Sequence, residues 1–424
     1  MKTPLFTLLT LLIFQADAIR PKPAEPQVAP ETFINATIHT GEGDVLKNAM
    51  LVIESGQITY LGDYQQTQTK GQVTDLKQQH IYPGFILTNT NLGLTEVDAV
   101  NASIDFKETG ELNPNVRTAI AYNADSMRIP PMRFNGILLA QVVPVGGLVS
   151  GTSSVMQLDA WNWNDALIQN NDGLHVNWPA QRTKKFDYAT FSMKLEKDKN
   201  YTDKVTKIKT LFKDAQAGHS PDNIKLNAVS AVFNGDKQVY IHANTPKAII
   251  ESIEFMQSIG IQKPVLVTDS AALPVIDFII SAEVPVIVSS VHDLPQRTDS
   301  PVEQPYAVAV KLQQAGVLTA VTYPGSMSAR NLGFTAGTTV AQGLDKNTAL
   351  KMITFNPAKI LKIDDRYGSL AVDKSATFFI SSGDALDMSG QQLKAAYIDG
   401  RKIDLNGKQQ KLYHRYHDKY QLTE

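Results

Sequence analysis

Short alternating runs of apolar and polar residues occupy both ends of this chain, and longer apolar blocks separated by helical periodicities fill its middle. Residues 32–39 alternate as a half-buried strand does, residues 41–44 form a Gly-rich turn, and residues 49–54 read as a second strand. Ser55-Gly56 then predicts a tight hairpin into a strand over 57–62. A matching pattern returns near the far end. Residues 368–381 give a strand after a turn, and residues 394–403 give a hairpin with Asp399-Gly400 at its tip. Two half-sheets so far apart are expected to pair. They predict one small composite β-sandwich domain built from residues 31–80 and 364–412, around an inserted domain over 81–363. Residues 19–30 read as a linker and 413–424 as a tail.

The inserted domain changes period. Residues 238–242 form an apolar strand, and residues 245–260 a helix with Pro246 in its first turn and Gly260 as its stop. Strands over 264–268, 285–289 and 317–322 follow, interleaved with helices over 271–282 and 305–316. Alternating βα units predict an α/β fold, a (β/α)8 TIM-like barrel. An open doubly wound sheet is the alternative, although no strand is followed by a Gly-rich phosphate loop. Val145-Gly-Gly-Leu-Val-Ser-Gly-Thr-Ser-Ser154 lacks the Lys-Ser or Lys-Thr of such a loop and reads as permissive backbone near the barrel mouth. Residues 194–209 are charge-rich with interspersed apolar positions, the pattern of a solvated helix face.

Composition narrows the setting. The chain has 424 residues, 43% hydrophobic content and a formal net charge of −2, so neither a nucleic-acid partner nor an acidic tail is indicated. Residues 1–18 carry Lys2, a short apolar run and Ala16-Asp17-Ala18, the pattern of a secretory signal peptide. The mature chain is expected to be exported, periplasmic or secreted, with no membrane insertion. With no cysteine, the fold rests on packing alone.

One stretch carries chemistry: Ile81-Tyr-Pro-Gly-Phe-Ile-Leu-Thr-Asn-Thr-Asn-Leu-Gly93. It resembles the first barrel strand of the amidohydrolase superfamily, where Pro-Gly and an apolar run lead into His-x-His. Arg330 to Gly337, Asn356 to Asp364 and Gly368-Ser-Leu370 resemble that superfamily's closing segments, most nearly those of imidazolonepropionase-like exported members. The resemblance implies hydrolysis of non-peptide carbon–nitrogen bonds by a metal-bound hydroxide. It also implies histidines on strands one, five and six and an aspartate on strand eight. Here Asn89 and Asn91 stand in place of the strand-one histidines, His242 keeps the strand-five position, Asp269 lies near the strand-six position, and Tyr323 lies at the end of strand eight. Amide oxygens are weak ligands for zinc. No cofactor is therefore expected, and zinc or another divalent metal would need a non-standard site.

Each candidate has two readings. Asn89, Asn91, His242 and Tyr323 are expected to converge at the barrel mouth and bind a small molecule. Alternatively, the two asparagines hydrogen-bond each other and His242, filling a vacated site. His242, Asp269 and Tyr323 are the candidates for metal-independent catalysis. The His292-Asp293 pair is a further candidate near the mouth. The chain is thus either a divergent hydrolase or a binding protein on a degenerate barrel.

Overall fold

The N-terminal strands form because each alternates and each is closed by a turn residue able to take a positive φ. β1 (Glu31–His39), β2 (Val45–Glu54) and β3 (Gln57–Asp63) make an antiparallel meander, turning at Ser55 (φ 53°) and Gly56 (φ 82°). β4 (Gln72–Asp75) and β5 (His80–Pro83) run parallel to the two ends of β1. The computed structural model describes residues 22–421 apart from 189, 219–220, 296–298, 324 and 326. The leader expected over residues 1–18 lies outside the described residues.

β6 (Phe85–Thr90), β7 (Ile137–Val142), β8 (Val149–Gln157) and β9 (Leu167–Asn177) open the central sheet. A separate hairpin, β10 (Arg182–Asp187) and β11 (Ser192–Lys197), leaves it after β9. β12 (Gln238–His242), β13 (Val265–Thr268), β14 (Val286–Val288) and β15 (Thr319–Val321) complete it. The order runs β6 to β9 and then β12 to β15, an eight-stranded and nearly closed barrel. Thr322 Oγ1 donates to the Thr88 carbonyl across the remaining gap. Ile353 O accepts from Ile86 and Met352 O from Val321, so the 352–353 turn completes the seam. One strand departs from the expected uniform barrel: β8 is antiparallel to both neighbours. The β7–β8 connection is too short for a crossover helix, and only an antiparallel pair can be joined that way.

Ile86, Leu139, Val155, Tyr240, Val265, Val267, Ile287 and Ala320 come from seven barrel strands and pack in one buried cluster. Ile360, Leu361 and Ile363 join the same cluster. Fully burying each aliphatic side chain contributes about 1.5–3 kcal/mol, so this layer anchors the barrel and leaves its other end free for polar residues. The chain then returns to the terminal sheet. β16 (Phe378–Ser381) pairs antiparallel with β5, and β17 (Leu393–Ile398) and β18 (Arg401–Lys402) follow. Hydrogen bonding runs through one sheet from β18 to β3, with Phe33, Ile38, Leu51, Phe378 and Tyr397 in a shared core.

Several local expectations need correction. β5 belongs to the terminal sheet, so the barrel begins at Phe85 and not at Ile81. The helix expected over 271–282 is a 3-10 turn (Ser270–Val275) followed by a short α-helix (Ile276–Ser281), because Pro274 supplies no N–H to continue the first turn. Residues 194–209 divide between β11 and a helix over Tyr201–Ala217. The expected tail is helical over Lys408–Tyr420 and has no buried residue.

Candidate active site

The parallel strands end on one side, and their last residues surround a cavity of about 240 Å³. Asn89 near the end of β6, Asn91 just after it, Asn177 at the end of β9, His242 at the end of β12, Ser289 after β14 and Thr322 after β15 all line it. Val143, Pro144 and Val145 supply an apolar wall from the Gly-rich segment. Asn89 has a φ of 49°, which asparagine tolerates better than most residues. That turn breaks the two-residue alternation, so Thr90 lines the cavity along with both asparagines. Asn89 N donates to Gln141 Oε1 at 3.1 Å, which fixes the turn. Among the described residues neither asparagine side chain bonds the other or His242, so both amides are available to a ligand.

A polar layer sits under this mouth. His175 is fully buried on β9, and its ring stacks on Tyr240 at 4.7 Å. Its Nε2 lies 2.9 Å from Ser153 Oγ and its Nδ1 lies 2.9 Å from His242 Nε2. Ser153 Oγ gives its own proton to the Gly173 carbonyl at 3.2 Å, so it accepts from His175 Nε2–H. His175 Nδ1 is then an acceptor, and His242 Nε2–H is the donor to it. The network thus assigns His242 a lone pair on Nδ1. Burial pushes the His242 pKa down to about 4. Burial, then the neighbouring His242, holds His175 well below the usual imidazole range. Both rings are neutral near neutral pH. Asp172 accepts from Gln141 Nε2 at 2.8 Å and from the Tyr240 hydroxyl at 3.0 Å, while burial pushes its carboxyl upward.

Residues 150–403 match the amidohydrolase family. The chain belongs to that family. Its fold is shared with an amidohydrolase from Thermotoga maritima MSB8, at 20% identity and a TM-score of 0.76, over 88% of this chain and 99% of that one. A prolidase complexed with N-methylphosphonate-L-proline (14% identity, TM-score 0.54) and an Xaa-Pro dipeptidase with bound methionine (13%, 0.55) align over 88% of this chain and 99% of theirs. No protein of curated function matches the chain in sequence.

This amidohydrolase barrel brings Asn89, Asn91 and His242 together and leaves other candidates outside the cavity lining. Asp269 caps the turn after β13, its carboxylate accepting from Ala271 N at 2.9 Å. Tyr323 lies one residue beyond Thr322, with its ring edge-on to His292 at 5.8 Å. His292 Nε2 sits 2.6 Å from Thr338 Oγ1, and Asp293 accepts from Leu294 N at 2.7 Å. Tyr323 and His292 thus form their own packed pair beside the mouth.

The cavity's donor set is one neutral imidazole with amides and hydroxyls, and no group of three or more His, Asp or Glu suited to a metal occurs among the described residues. Such donors fit a divalent metal poorly, since zinc favours several imidazoles, thiolates or carboxylates. Asp172, His175 and Asn177 are not among the candidates that the sequence pattern suggests. Their signal was present: single polar residues at every second or third position within the run Asp172-Gly-Leu-His-Val-Asn177.

Gly173 is required by this layer, because an added Cβ would lie 2.1 Å from the Tyr240 ring. That ring is pinned between His175 and Asp172 and has nowhere to retreat. Gly173→Ala is expected to lower stability by about 1–3 kcal/mol, measured by urea denaturation. An unchanged midpoint would show that the layer is plastic.

Proposed function

We propose that this amidohydrolase-family barrel binds a small, neutral amide- or ureide-like molecule at its mouth without a divalent metal, and that ordinary metal-dependent carbon–nitrogen hydrolysis is lost. The observation that carries this reading is the donor set. Asn89 and Asn91 each offer an amide donor and acceptor, and His242 offers an Nδ1 acceptor, with no ionised group among them. A cyclic amide, with adjacent N–H and C=O groups, complements such a lining. The exported setting implied by residues 1–18, and the reading of the terminal sheet as one composite domain bracing the barrel, belong to the same proposal.

A second reading is metal-independent hydrolysis with His242 as general base. It is favoured by the oriented Nδ1 lone pair and by the hydrolases among the structural neighbours, which include one described as molinate hydrolase. A pKa of about 4 makes His242 a weak base at neutral pH, and this ranks the reading second.

Elemental analysis of protein purified without chelators, followed by calorimetric titration with hydantoin, tests the proposal. Binding without product and without stoichiometric zinc is expected, with His242→Ala or Asn89→Ala weakening it roughly tenfold. Stoichiometric zinc ligated by His242, with hydantoin turnover, would overturn it. Turnover without metal, abolished in His242→Ala, would promote the second reading.

A further inference from the structure

We propose that the β10–β11 hairpin is a peripheral docking element for an anionic lipid surface. β11 is exposed along its whole length. Two-stranded hairpins standing alone are marginal in water, and this one presents apolar side chains where solubility would favour polar ones.

Its two faces differ. Phe186 pairs directly with Met193 across the strands, and Leu195 lies two residues further along the same face. Tyr188 and Phe191 stand at the tip, 84% and 82% exposed. Phe186 meets both edge-on, at 5.1 and 5.3 Å, so the three rings form one cluster. The opposite face is polar and internally neutralised: Lys185 pairs with Glu196 at 3.2 Å, and Lys194 pairs with Asp187. An aromatic and aliphatic patch of this kind marks a binding surface.

Charge selects the occupant. Residues 182–199 hold six basic and three acidic residues, a net +3 within a chain of net −2. Arg182 and Lys197 face each other across the base of the hairpin, and neither they nor Lys199 make an ion pair among the described residues. Aromatic side chains with flanking cations are suited to the interface of an anionic bilayer, where rings sit at the headgroup level and long basic side chains reach the phosphates. A second copy of this chain is the competing occupant. Stacking two such hairpins through their apolar faces would bring like-charged Arg182–Lys197 pairs together, which charge disfavours. No helix among the described residues is long and apolar enough to cross a membrane, so the contact would be peripheral. The hairpin begins five residues after Asn177, at the cavity end of the barrel, so docking would bring the mouth close to the lipid.

Co-sedimentation of the full chain with vesicles tests this. Binding to phosphatidylglycerol–phosphatidylcholine vesicles should exceed binding to phosphatidylcholine alone by roughly tenfold or more, because basic residues are attracted to an anionic surface. Added salt should remove that excess. Phe191→Ser with Met193→Ser should abolish sedimentation, and Arg182→Glu with Lys197→Glu should erase the lipid preference. All variants should keep the wild-type thermal midpoint, because the hairpin packs outside the core. Equal binding to both vesicle types, or none, would overturn the proposal. So would a lipid-independent dimer that the Phe191 and Met193 changes dissociate, which would assign the face to a second copy.

Discussion

Asp159→Ala is expected to lower the free energy of unfolding by about 3–5 kcal/mol, the cost of orphaning a buried charge partner. Asp159 follows β8 and is inaccessible to solvent. Its carboxylate takes Arg133 from the helix Ile129–Arg133, Arg401 of β18 at 3.1 Å, and the backbone N–H of Ala24 at 2.8 Å. Arg401 also reaches Gln157 Oε1 at 3.2 Å. One carboxylate thus joins the barrel, the terminal sheet and the segment preceding it. Removing it leaves the Arg133 guanidinium, 4% exposed, without its direct ion-pair partner. Burial already pushes the Arg133 pKa down, and Asp159 is the main opposing influence. Urea denaturation measures the loss, and Arg401→Ala should couple with Asp159→Ala in a double-mutant cycle. A loss below about 1 kcal/mol would mean that the three parts hold together without this junction.

Acid should unfold the protein early, through histidines that are buried in the neutral state. Burial first, and then His80, pushes His39 down to about 4, and burial alone does the same for His242. His175 is lowered in the same direction. Their folded pKa values lie below the unfolded value of about 6.5. The unfolded chain therefore takes up protons that the folded chain refuses. Their stabilising contribution is complete above about pH 6.5 and drains away as pH falls toward 4, at up to about 1.4 kcal/mol per pH unit for each group. Asp172 acts in the opposite sense, because its raised pKa favours the protonated acid. Three imidazoles outweigh one carboxyl in this window. Urea midpoints measured at about pH 7 and pH 5 should differ strongly, and His242→Gln or His39→Gln should flatten the difference. Identical midpoints in the wild type would contradict the buried, neutral assignment on which the His242 tautomer rests.

The unequal legibility of the site follows from where each residue lies. Asn89, Asn91 and His242 are legible together because each ends an apolar run, and parallel barrel strands end on one side. His175 and Asp172 are not legible because β9 begins Leu-Ile-Gln-Asn-Asn-Asp, a mixed pattern that suggests neither strand nor helix. Asp172 and His175 point into the barrel and bond Gln141, Ser153 and Tyr240 from other strands. The helix Lys408–Tyr420 is hard to read for a different reason: it is mostly polar, and its few apolar residues, Leu412, Tyr413, Tyr416 and Tyr420, stay exposed instead of facing a core. The charge-rich stretch from Lys194 reads in isolation as a helix face, whereas pairing with Arg182–Asp187 makes its beginning a strand.

By itself the sequence determined what near neighbours control. The turns at Ser55-Gly56 and Asp399-Gly400 need positive φ and have residues that allow it. Thr245 caps its helix through Ala248 N, with Pro246 beside it, and the Val- and Ile-rich blocks become the buried strands. The tertiary structure alone decided the direction of β8, the closure of the seam by the 352–353 turn, and the protonation of His242. That last property depends on His175, 67 residues away, and through it on Ser153. Local periodicity reports which face of an element is apolar. A tautomer and a shifted pKa depend on burial and on hydrogen-bond partners drawn from distant strands, and these exist only once the barrel has assembled around them.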